Sequence, residues 1–62
     1  MLNDQLLAYR VPVAARLIGI SRSKMWTLIA DRKIATRKIG GATIILRADL
    51  QEFLAKMPAS NF

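Results

Sequence analysis

Arg22, Ser23, Lys24, Trp26 and Thr27 place five hydrogen-bonding side chains within six positions of a 62-residue chain. Each is a donor and none is an acid, a set suited to an acceptor-rich or anionic partner. The same chain is poorly equipped for bond-making chemistry. It has no cysteine and no histidine, so it lacks a thiolate metal site, the commonest general base and the commonest metal ligand. Its carboxylates are Asp4, Asp31, Asp49 and Glu52. Asp49 and Glu52 fall near the start of a helical pattern, where they complement its dipole rather than form a catalytic pair. No catalytic residue, metal site or cofactor is expected, and the chain does not read as an enzyme.

Charge sharpens the point. Ten Lys and Arg against four acids give a net charge of +6. Residues 10–47 hold Arg10, Arg16, Arg22, Lys24, Arg32, Lys33, Arg37, Lys38 and Arg47 against the single acid Asp31. A folded domain with that concentration of positive charge repels itself, and a polyanion relieves the repulsion. A solubilising surface would interleave signs, and this segment does not. Nucleic acid is the leading partner by charge, ahead of a membrane surface. No apolar stretch approaches the roughly 18 residues of a membrane span, and no basic start followed by an apolar block marks a secretory signal. A cytoplasmic protein is expected.

The elements that must carry these residues are legible in outline. Sixty-two residues make one small domain, spanning 1–62, with a thin margin of stability. Residues 3–8 suit a helical turn capped by Asn3, or an arm on the core. Pro12 suits the first turn of a helix, and Ala14, Leu17 and Ile18 then share a face up to a stop at Gly19. Ser21 caps a second helix, in which Met25, Leu28 and Ile29 form the apolar stripe. Residues 12–31 thus read as a helix-turn-helix, with small Ala15 at the crossing and Ile20 at the corner. Across 35–46 the period changes, and Gly40-Gly41 between two β-prone runs predicts a hairpin wing. Leu50, Phe53, Leu54 and Met57 predict a final helix over 48–57, closed by Pro58. The fold class is mostly α with a small β-hairpin. Ile44 and Ile45 are adjacent, so they must face opposite ways on a strand.

The segments AARLIGISRSKMWTLI (14–29), RKIGG (37–41) and RADLQEFL (47–54) resemble, in order and spacing, the small winged helix-turn-helix excisionase family of phages and integrative elements. That family shares the MerR-like DNA-binding fold, and the resemblance runs from residue 9 to residue 55. It implies sequence-specific binding and bending of double-stranded DNA at an attachment region. It also implies a tyrosine-family integrase as partner, steered toward excision, in a prokaryotic host. Neighbouring copies on DNA are a further implied contact. The absence of room for a sensing or coiled-coil segment favours this role over a MerR-type regulator. A small transcription regulator of the same fold is the alternative; an adaptor that docks proteins and a membrane-active peptide are more distant rivals.

The chain departs from the family pattern at several places. Arg10 and Val13 stand where a capping Thr and an acid are common, so the first helix is poorly capped. Gly41 and Ala42 replace wing-tip arginines, Ile44 a basic residue and Leu46 a proline. On the recognition helix, Arg22 matches the guanine O6 and N7 edge. Ser23 and Thr27 suit base or phosphate, and Lys24 suits phosphate. Trp26 stands at the family's Tyr and either packs on the first helix or donates its indole N–H to a phosphate. Arg16, Arg32, Lys33, Thr43 and Arg47 are phosphate candidates, and Arg37 and Lys38 take the wing's role. The resemblance makes Ile44 the outward isoleucine, either a stray surface residue or a contact with a neighbouring copy or partner protein.

Overall fold

The computed structural model describes residues 6–58. In chain order the elements are β1 (Ala8–Arg10), α1 (Val11–Leu17), α2 (Arg22–Ala30), β2 (Arg37–Ile39), β3 (Ala42–Leu46) and α3 (Arg47–Ala55). The strands form one antiparallel sheet in the order β1-β3-β2. Three helices with this sheet are the arrangement of a winged helix-turn-helix, with the β2–β3 hairpin as the wing.

The turn between α1 and α2 forms as its residues dictate. Gly19 adopts φ of +80°, donates its amide to the Arg16 carbonyl at 3.2 Å, and lets the Ile20 amide reach the Ala15 carbonyl at 3.0 Å. These paired bonds satisfy carbonyls that the helix end would leave orphaned. Ser21 then opens α2, its hydroxyl accepting from the Lys24 amide at 3.0 Å. No side chain caps α1 at Arg10, in line with the missing Thr.

The core is Val11, Ala14, Ala15, Met25, Ile34, Ile45 and Leu50. Small Ala14 and Ala15 on α1 bring α2 close, and fully buried Met25 fills the space between. In α1 the buried stripe is Val11, Ala14, Ala15 and half-buried Ile18, the i, i+3, i+4, i+7 spacing of one helical face. That corrects the expectation for Leu17, which stays 57% exposed because the stripe is centred on the opposite side of Ala14. In α3 Leu50 is buried and Phe53 packs beside it, but Leu54 is exposed, and Met57 lies beyond the helix end and is exposed too.

The first strand corrects the reading of the N-terminal region. Residues 3–5 lie outside the described residues, and from Ala8 the chain is strand rather than helical turn. Ala8, Tyr9 and Arg10 pair with Leu46, Ile45 and Ile44, and the ladder continues as the Arg47 amide donates to the Leu7 carbonyl at 2.8 Å. The sheet therefore has a third strand that the hairpin alone did not announce. Gly40 and Gly41 both have positive φ, +54° and +92°, the pattern of the tight hairpin turn whose twist matches its strands.

Candidate nucleic-acid interface

Burial of Met25 with half-buried Leu28 and Ile29 orients α2. The opposite side carries Arg22, Ser23, Lys24, Trp26 and Thr27, all exposed. Trp26 is 45% exposed, so its ring is not a core filler. Thr27 differs from the others in one respect. Its hydroxyl donates to the Ser23 carbonyl at 3.1 Å, so only its acceptor capacity is free for a ligand.

The hairpin completes the surface. Arg22 and Trp26, one helical turn apart, line a cleft with Thr43 and Gly41 from the wing and Pro12 at the start of α1. Tertiary structure thus brings the first turn of α2 beside the wing tip, across a separation of 21 positions between Arg22 and Thr43. Arg10 borders the same cleft. From sequence it counts in the basic segment and reads as a lost cap, but nothing local places it beside Arg22.

The register divides the wing's basic pair. Lys38 lies opposite Thr43, in the set of positions that includes core-facing Ile45, so it is on the side of the sheet that carries the helices. Arg37 lies opposite Ile44 on the other side. Its guanidinium donates to the neighbouring Thr36 carbonyl at 3.4 Å. The two residues expected to act together on the backbone therefore point apart.

Arg32 and Lys33 are brought elsewhere. They sit beyond the far end of α2, whose axis alone runs about 12 Å from Arg22 to Ala30, and line a groove with Ile34, Asp49, Glu52 and Phe53. Here two of the chain's four acids lie with three of its bases, Lys56 being the third. Glu52 is not a first-turn dipole partner: it pairs with Lys56 at 3.3 Å, one turn on and well exposed. Asp49 does lie in the first turn of α3, and its Oδ2 is buried with no hydrogen-bond partner. Arg16 is exposed in the last turn of α1, and Arg47 is half-buried at the start of α3.

A family model described as a helix-turn-helix domain matches residues 8–58. The chain belongs to this helix-turn-helix family. The match begins at the first residue of β1, so the strand and the wing fall within the family domain along with α1 and α2. Members are DNA-binding domains, typically without enzymatic activity, and the protein accordingly binds double-stranded DNA. No curated protein and no solved structure matches the chain with significance. Among the described residues, no helix is long and apolar enough to cross a membrane, and no group of three or more acids could hold a metal ion.

Proposed function

We propose that the protein is an excisionase: a cytoplasmic, sequence-specific factor that binds and bends DNA at an attachment region of a prokaryotic mobile element. In this reading it directs an integrase of the tyrosine class toward excision and does no chemistry itself. The observation that carries the reading is the placement of Arg22 and Trp26 beside the wing. Two elements side by side can grip DNA in adjacent grooves, α2 in the major groove and the hairpin on the neighbouring backbone. A duplex held at both places is held most closely when it curves, which is the mechanical task of a directionality factor. The family also includes excisionase-like proteins, which supports the same choice.

Within this site Arg22 reads a guanine edge through two parallel hydrogen bonds. Ser23 and the free acceptor of Thr27 contact base or backbone, and Lys24 meets phosphate. Trp26 donates its indole N–H to a phosphate at the wall of the cleft. Arg16, Lys38, Thr43 and Arg47 add backbone contacts around the helix, while Arg32, Lys33 and Arg37 add positive field at its margins.

The deciding experiment is recovery of bound DNA across the source genome, followed by footprinting of the strongest site. Closely spaced repeats beside an attachment core, with stimulation of excision in a reconstituted reaction, are the expected result. A lone promoter site without effect on excision would replace the proposal with a transcription regulator.

A further inference from the structure

The side of the sheet that turns away from the helices is unusual for a basic protein. The register sets Arg10 and Arg37 opposite Ile44, one on each side, so all three share this face. The neighbouring rows put Leu46 on one side of Ile44 and Ile39 on the other. Ile39 is 65% exposed, and Ile44 and Leu46 are half-buried. The face is therefore an apolar strip flanked by two guanidiniums. Neither Arg10 nor Arg37 meets a carboxylate among the described residues.

DNA is a poor occupant of this strip. Phosphates would dehydrate three branched apolar side chains and gain nothing from them. A second copy is also a poor occupant. A two-fold pairing of this face would set Arg10 and Arg37 against the same residues of the other copy. Among the described residues the acids lie elsewhere: Asp49 and Glu52 sit among Arg32, Lys33 and Lys56, and Asp31 caps the end of α2.

We propose that this face docks an acidic amphipathic helix of a partner protein. Spacing supports the choice. Arg10 and Arg37 lie on strands two apart in the sheet, about 10 Å from one another across β3. In a helix, residues i and i+7 are also about 10 Å apart along the axis, and i+3 and i+4 lie between them on the same face. Glu at i and i+7 with Leu at i+3 and i+4 thus places two carboxylates on the two guanidiniums and the leucines on Ile44, Leu46 and Ile39. The bidentate fork of Arg favours such carboxylate pairing. Arg10 also borders the α2 cleft, but Arg37, Ile39, Ile44 and Leu46 do not, so DNA on α2 leaves most of this face to the partner.

The test is a chemical-shift titration of the full chain with a synthetic helical peptide carrying that Glu-Leu-Leu-Glu spacing. A peptide with Lys at the Glu positions is the control. Perturbed amides at Arg10, Arg37, Ile39 and Ile44 are expected, with no response to the lysine peptide. The same shifts should appear with the chain bound to a DNA duplex. Ile39→Ser, at an exposed position, and Ile44→Thr, which stays β-branched, should each weaken the peptide at least tenfold and leave duplex affinity unchanged. Shifts centred on Arg22–Thr27 would mean that the peptide only imitates phosphate, and would overturn the proposal. So would equal binding of the lysine peptide, no response at millimolar peptide, or self-association of the free chain through these amides. Failure of DNA binding would appear separately, in the duplex titration.

Discussion

The amide of Lys33 donates to the carbonyl of Leu28 at 2.9 Å, closing the C-terminal turn of α2. The bond requires the intervening Arg32 to leave the helix in the left-handed region, with φ of +61°. A matching turn after α1 uses Gly19. An L-residue in that conformation costs roughly 1–2 kcal/mol. A basic side chain held at this cost, at the end of the recognition helix, fits a functional use. Arg32→Gly is expected to raise stability by about 0.5–1 kcal/mol while weakening DNA binding. Thermal melts and binding isotherms across a salt series check both halves; a loss of stability would show that the arginine side chain itself supports the turn.

Arg22 is the residue placed to read sequence. Arg22→Ala should cost roughly 1–3 kcal/mol at the cognate site and relax preference at one base pair. Footprints of the variant on cognate and mutated duplexes test this, and an unaltered preference would remove Arg22 from base readout.

Arg37 and Lys38 separate by face. Lys38→Ala should weaken binding to every sequence alike and lower the salt slope by about one. Arg37→Ala should change the slope less, because its side chain is on the sheet face away from α2. Equal effects of the two substitutions would mean that DNA wraps around both sides of the wing.

The hairpin tip depends on backbone conformation and not on space. Nothing lies within 4 Å of a Cβ built at Gly40 or Gly41. Gly40→Ala should nonetheless cost on the order of 1 kcal/mol, and Gly40→Asn less, since Asn tolerates the left-handed region. Chemical denaturation of the two variants distinguishes these costs.

Met25 is fully buried between α1 and α2. Met25→Ala should cost about 2–5 kcal/mol, enough to unfold much of so small a domain at room temperature. Circular dichroism melts give the answer directly.

What the residues determined by themselves was local. Gly19 and Ser21 set the turn and the start of α2, because a left-handed cap and a hydroxyl cap act over three or four positions. Gly40-Gly41 set the hairpin, and strand alternation sent Ile45 inward and left Ile44 partly outside. The basic cluster, too, could be counted without coordinates. Tertiary structure decided what depends on partners distant in the chain. β1 exists because Ala8–Arg10 found β3, 34 or more positions away, and a three-residue strand has no local signature. The exposure of Leu17 and Leu54 followed from which helix faces met the core. The pairing of β2 with β3 put Arg37 and Lys38 on opposite sides, and the fold of the wing onto α1 and α2 set Thr43 beside Arg22. Composition supplied the charge, and only the packing of sheet against helices distributed it over two different faces.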